Sequence, residues 1–329
     1  MTVHELGHFT AAKLFKMPVK AFSIGLGPSI FKRKYKGTEY RLSVLPIGGY
    51  VQIAGEEDKD IPYGFLNQAM WKRFVVLIAG VTFNFIFAIC TFFFLTSTFG
   101  NPVHGVEIVG ANEGTEAINY IKTGDQLLEV NGKQVSSDNI NEISLWIKEI
   151  KSGEKAKISV LREEKVIHYT IPLTEIEGQE ILGIAYQPRI LFSKADIHKQ
   201  NPIIAPFKEF TYGVKSILKG LKMIVNGEVT IDDIQGPIGI VKTTGDISKT
   251  DLQLLIYWIA LLNINLGVMN LLPIPSLDGG QIVFLAAEKV VGKKRWNVKI
   301  AIYINALFLL VLMCLILFIS YHDILKLFR

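Results

Sequence analysis

The sequence predicts a polytopic α-helical membrane protein that carries one water-soluble α+β insert. Three observations predict it. Half of the 329 residues are hydrophobic and a fifth are charged, an apolar content a soluble enzyme could not hide unless it were concentrated. It is concentrated: residues 74–95, 254–272 and 300–319 contain no charged side chain, and each run is near the ~20 residues that cross a ~30 Å hydrocarbon core. Residues 101–201, between the first two runs, are mixed, charged and punctuated by glycine, as a soluble domain is. One such apolar run could be a buried helix of a large soluble core; three in one chain argue against that.

The first element opens Met1-Thr2-Val3-His4-Glu5-Leu6-Gly7-His8, an H-E-x-x-H pattern. On a helix, residues four apart share a face. His4 and His8 can therefore point at one zinc ion, with Glu5 beside them as a base for water. Short patterns recur by chance, and an amphipathic helix start would also account for two histidines. The stretch Phe9 to Phe15 is helix-compatible and largely apolar. Ionisable groups at the lip of a membrane helix are costly unless they have a function. Residues 1–17 contain His4, His8, Glu5, Lys13 and Lys16, so as written they form an incomplete first span.

From Val19 to about Gly55 apolar and polar residues alternate. Tyr40–Leu45 and Tyr50–Ile53 read as strands of a membrane-associated β-hairpin. An open strand edge there could take up an extended substrate segment; a purely structural hairpin is the other reading. The run 74–95 is the first intact span. Lys32, Arg33, Lys34, Lys36, Lys72 and Arg73 precede it, and Lys293, Lys294, Arg295 and Lys299 precede the last. Basic residues in short loops mark the cytoplasmic side, which puts the insert outside. Trp71, Trp258 and Trp296 fall near span ends, where interfacial aromatics belong. Because these basic residues flank spans, they give no reason to expect nucleic acid as a partner, and the net charge of +5 is modest.

Within the insert, Asn131-Gly132 between apolar runs signals a hairpin turn. Residues 137–150 read as a helix, and 156–161 and 166–172 as strands. In the segment that follows, Phe207, Phe210, Val214, Ile217, Leu221 and Ile224 recur at helical spacing with lysines between. That suits a helix lying on the membrane surface or packed on the insert. The two cysteines, Cys90 and Cys314, sit in apolar runs. They offer neither a disulfide framework nor metal-ligand spacing. The charge pattern of a cleavable signal peptide is absent.

A catalytic zinc usually holds three protein ligands and one open position. His104, His168 and His198 belong to the insert or its end, and His322 follows the last span, so the third ligand is expected to be a carboxylate. After the run 254–272 comes Pro273-Ile274-Pro275-Ser276-Leu277-Asp278-Gly279-Gly280. The prolines stop a regular helix, which leaves Asp278 in broken backbone at membrane depth. Such backbone is tolerated mainly where protein or a water-filled cavity covers it. Asp278 as third ligand accounts for both motifs; a plain Asp-Gly turn is the alternative.

Together, the two motifs resemble those of the site-2 protease family of intramembrane zinc metalloproteases. The chain looks like the bacterial regulator-of-sigma-E type of that family, with a single PDZ domain. Four further stretches are similar to that family's: Ala21-Phe22-Ser23-Ile24-Gly25-Leu26-Gly27-Pro28, Pro46-Ile47-Gly48-Gly49-Tyr50-Val51, Ala79-Gly80-Val81-Thr82-Phe83-Asn84, and Gly236-Pro237-Ile238-Gly239-Ile240. The third departs from the family in having Val81 where a proline is usual. The resemblance implies Zn2+ held by His4, His8 and Asp278, Glu5 as catalytic base, and Asn270 near the bound peptide. Asn270 could donate to a developing oxyanion or merely cap the broken helix; Asn84 is expected to join helices.

The residues Ile121 to Lys133 resemble the turn-strand-turn of PDZ domains, and one copy fits. The expected organisation is a protease core at 1–100, an extracytoplasmic PDZ-like domain at 101–195, an amphipathic linker at 196–253 and the rest of the core at 254–329. That makes about four spans, the first truncated, in a bacterial inner membrane. The implied substrates are single-span membrane proteins already shortened by another protease, such as anti-sigma factors or remnant signal peptides. Two alternatives stand beside this. One is a non-catalytic membrane PDZ scaffold with a vestigial metal site. The other is a metal transporter, which would need more polar residues along the spans than Thr82, Asn84 and Thr91 supply.

Overall fold

A computed structural model describes residues 1–58, 60–150, 154–163, 165–176, 179–193, 201, 203–231, 234–292 and 296–327. Lys293, Lys294 and Arg295, counted above beside the last span, and His198 lie outside the described residues. The chain forms two compact units, Met1–Thr98 with Asn201–Arg329, and Phe99–Gln200.

The first unit begins with α1 (Thr2–Leu14), followed by strands β1 (Val19–Tyr35) and β2 (Thr38–Ile53) and helix α2 (Met70–Phe99). The two short strands expected between Tyr40 and Ile53 are instead two stretches of one long strand. Lys36 and Gly37, both at positive φ (45° and 82°), make the tight turn that a right-twisted hairpin favours. This frees all of Val19–Tyr35 to be the partner strand. The ribbon then doubles over, so that Ala21–Ile24 lies opposite Gln52–Gly49 on one side and Glu39–Leu42 on the other. The stretch Gly49–Ile53 thereby becomes an outer row of this sheet among the described residues.

Helices α1 and α2 touch backbone to backbone. A Cβ on Gly7 would come within 2.3 Å of the Ala79 carbonyl oxygen, so only glycine permits the approach. Ala11, Ala12, Met17, Val19, Ile53, Phe65, Val76 and Ala79 close around that contact as one buried cluster. The remainder of the unit is helical. In order come α4 (Ala205–Val225), α5 (Pro237–Thr250), α6 (Leu252–Leu271), α7 (Asp278–Val291) and α8 (Val298–Leu327). Helices α2, α6 and α8 are long and apolar enough to cross a membrane, and they contain the three uncharged runs. Leu307, Leu310, Val311, Leu315 and Phe318 of α8 all face outward. A helix apolar all round is at home in lipid or a core, and the exposure of these side chains suits lipid.

The glycine–proline stretch before α5 also finds its reason. Asp323, buried near the end of α8, accepts from the N–H groups of Gly236 (3.2 Å) and Gly239 (2.8 Å). A Cβ at either glycine would stand 2.7 Å or 3.1 Å from that carboxylate. The free N–H groups of a helix start are a natural seat for an anion.

The second unit is built on a six-stranded antiparallel sheet in the order β10-β3-β4-β6-β7, with β5 paired to β4. The strands are β3 (Asn101–Ala111), β4 (Gln126–Val130), β5 (Lys133–Gln134), β6 (Lys155–Arg162), β7 (Lys165–Pro172) and β10 (Ile184–Ser193); β8 (Thr174–Ile176) and β9 (Gln179–Ile181) form a separate pair. Val106, Ile108, Leu127, Val130, Ile143, Ile158, Val160 and Ile171 make its core. Asn131 (φ 48°) and Gly132 (φ 82°) form the expected hairpin turn. The helix expected over 137–150 splits into a 3-10 turn, Ser137–Glu142, and a short α3 (Ile143–Lys148). Ser136 and Asn139 cap each other reciprocally at its start, and this local bonding competes with a single regular helix.

Candidate metal centre

Helix α1 presents His4 and His8 one turn apart, and Asp278 arrives as the first residue of α7. The Nε2 atoms of the two rings are 3.1 Å apart. Oδ2 of Asp278 lies 3.1 Å from Nε2 of His4 and 3.3 Å from Nε2 of His8. The three groups are the cluster among the described residues with the composition and spacing to hold a metal ion. Of the other histidines, His168 bonds Ser159 in the second unit (2.8 Å), and neither His104 nor His322 lies in this cluster.

These side chains fit a divalent ion. Three electron-rich atoms converge on one point, and Oδ2 of Asp278 is buried without a hydrogen-bond donor among the described residues. The far side of each ring is held by α2. Nδ1–H of His8 donates to the Val76 carbonyl (2.8 Å), which leaves the Nε2 lone pair free for a metal. Nδ1 of His4 faces the buried Asn84 amide at 3.2 Å, and the Asn84 Oδ1 has no partner among the described residues. A half-turn of that amide puts Oδ1 against Nδ1–H, satisfies both atoms and frees Nε2 of His4 as well. Asn84 thus joins α2 to α1, the helix-joining role the sequence suggested, and does so through a candidate ligand. Gly80, one turn earlier, lies under both rings: a Cβ there would be 2.4 Å from Nε2 of His8 and 2.7 Å from Cε1 of His4. Gly80 and Asn84 share one face of α2, a small residue and a polar one four apart, and that spacing was the available signal.

The carboxylate of Glu5 faces the Val51 N–H on β2. Glu5, His4, His8, Asp278 and Asn270 all line one open cavity of about 640 Å³, together with Val51 and Ile53. Asn270 occupies the last turn of α6. The loop from α6 to α7 is fixed from α8: Ser276 N–H donates to Asn305 Oδ1 (3.1 Å), and Ser276 Oγ donates to the Asn305 carbonyl (2.6 Å). Ser276 itself is at φ 77°, a strained conformation for a residue with a side chain. Gly279 and Gly280, read as turn glycines, lie inside α7. A Cβ on either would approach a carbonyl of the preceding segment to within 2.3 Å or 2.2 Å, so they let α7 start tightly against the loop that precedes it.

The family model described as peptidase family M50 matches residues 1–313. A Fusobacterium nucleatum protein named as a candidate zinc metalloprotease is 36% identical over 99% of this chain and 96% of its own length. A Clostridium acetobutylicum protein of the same designation is 31% identical over 98% and 93%. A chloroplast membrane metalloprotease of Arabidopsis thaliana is 30% identical over 99% of this chain and 76% of its own.

Proposed function

The chain belongs to peptidase family M50, and on that premise we propose that it cuts membrane proteins at a zinc site formed by His4, His8 and Asp278. It is a multi-pass membrane zinc metalloprotease whose substrates are membrane proteins in the bilayer. The observation that carries the ligand assignment is the convergence of two imidazoles and one carboxylate within 3.3 Å of each other.

Zinc bound there would polarise the scissile carbonyl and make water a nucleophile near neutral pH. Glu5 takes one proton from the attacking water and gives it to the departing amine as the C–N bond breaks. Glu5 and Val51 line the same cavity, so the carboxylate is within reach of a substrate laid along β2. Asn270 donates to the oxygen that gains negative charge in the transition state. The cavity opens beside Val51 and Ile53, so an unwound substrate segment can pair along the outer row of β2. Unwinding matters because the peptide bonds of a helix are shielded by their own hydrogen bonds.

In our reading, residues 101–195 form one extracytoplasmic PDZ-like domain that excludes substrates with bulky outer domains. The core has about four spans in a bacterial inner membrane. The substrates are single-span proteins already shortened by another protease.

The test is cleavage of a model single-span protein in liposomes by the parent chain and by Glu5→Gln, each with its zinc content measured. Cutting by the parent, and none by a zinc-loaded Glu5→Gln, is the expected result. Equal cutting by both would remove Glu5 from the mechanism, and no cutting by a zinc-loaded parent would favour a peptide-binding scaffold.

A further inference from the structure

Arg73 and Glu288 form a second buried charged pair. Nη1 of Arg73 lies 2.8 Å from Oε2 of Glu288, with the side chains 7% and 3% exposed. The Arg73 guanidinium also stands 5.2 Å from the centre of the Phe65 ring. No step of the proposed hydrolysis uses either residue. Both line a small cavity with Gln281 and Asn305, residues that also line the cavity of the metal centre.

Their positions along the helices give them a use. Arg73 opens α2, the helix that supplies the Val76 carbonyl to His8, Asn84 to His4, and Gly80 beneath both rings. Glu288 closes α7, the helix whose first residue is Asp278. Between α6 and α7 the chain is interrupted by Pro273, Pro275 and the strained Ser276. The Asn305–Ser276 bonds fix the front of α7, and the Arg73–Glu288 pair fixes its far end to α2. One helix thereby sets the place of all three candidate ligands.

We propose that Arg73 and Glu288 are a positioning pair, which holds α7 so that Asp278 meets the two histidines at metal-binding distance. This rests on Asp278 being a metal ligand. A buried ion pair is weak evidence for stability, since apolar residues of similar size often replace one at little cost. Its retention here is explained by geometry.

The test uses the full chain in detergent and measures two quantities: zinc affinity, by competition with a coloured chelator, and the thermal midpoint of the zinc-free protein. The variants are Arg73→Met/Glu288→Met, which removes the pair without leaving a lone charge, and Glu288→Gln, which keeps shape and loses charge. The expected result is zinc affinity lowered about 10- to 100-fold, the range for groups that orient metal ligands, with the zinc-free midpoint of the double variant unchanged. Unchanged affinity in either folded variant overturns the proposal. So does an affinity loss that only tracks a lowered midpoint. A parent chain and an Asp278→Ala variant of equal zinc affinity would instead overturn the ligand assignment, and this inference with it.

Discussion

Two neutral imidazoles whose Nε2 atoms stand 3.1 Å apart repel unless a proton or a cation lies between them. The residues around them are arranged for the cation, because the Nδ1 side of each ring is already committed to α2. Gly80 is the most sensitive of these. Gly80→Ala adds a methyl 2.4 Å from Nε2 of His8, and backbone contact between α1 and α2 leaves no room to retreat. The variant is expected to lose stoichiometric zinc by metal analysis while far-ultraviolet circular dichroism stays at the parent level. Asn84→Ala removes only the partner of His4 and should weaken zinc about 10- to 100-fold in chelator competition. His4, Glu5 and His8 were legible because four-residue spacing on a helix is a local property. Asp278 was legible because prolines and glycines announce broken backbone. Asn84 was legible as a helix-joining residue but not as the partner of His4, since a polar residue in an apolar helix names no particular neighbour. Only the tertiary meeting of α1 with α2 decides it.

The same division between local and distant causes holds for whole elements. The three long helices could be read from composition, because an uncharged run of that length has few other stable states in water or lipid. The hairpin was read as two short strands at 40–45 and 50–53, because Leu45 to Gly49 looks like a break. What keeps that stretch in one strand is pairing far back in β1, where Ile24 lies opposite Gly49 and Leu26 opposite Leu45. Helix α5 was missed for a related reason. Its start, Gly236-Pro237-Ile238-Gly239, has weak helix propensity, and the carboxylate that satisfies its free N–H groups comes from Asp323, more than eighty residues later in the chain. Asp323→Ala leaves those two donors without their partner. A loss of roughly 1–3 kcal/mol is expected, read as a lower thermal midpoint in detergent, with Asp323→Asn intermediate because its amide oxygen still accepts.

At the scale of the whole molecule, the chain combines a unit whose apolar faces suit lipid with a unit whose core is its own. Every long strand of Phe99–Gln200 contributes to one buried cluster, so the excised segment is expected to fold alone and to give dispersed amide signals by NMR. Its acid stability should hinge on one pair. The Asp125 side chain is 1% exposed and accepts from Arg162 Nε (2.7 Å) and Nη2 (2.6 Å) and from the Lys122 N–H (2.8 Å). Burial alone would raise its pKa, but the bonds from Arg162 and Lys122 outweigh it and hold the carboxyl below its ordinary value. A depressed folded pKa means the unfolded chain takes up the proton first. The stabilisation is therefore complete above the unfolded value of about 3.9 and fades as pH falls through the lower folded one. Urea unfolding of the excised unit should show a midpoint that drops below about pH 4. Asp125→Asn should flatten that drop and cost roughly 2–3 kcal/mol at pH 7, where Arg162 loses its charged partner. A pH profile unchanged by the substitution would assign the acid sensitivity to other carboxylates and reduce Asp125 to a hydrogen-bonding role.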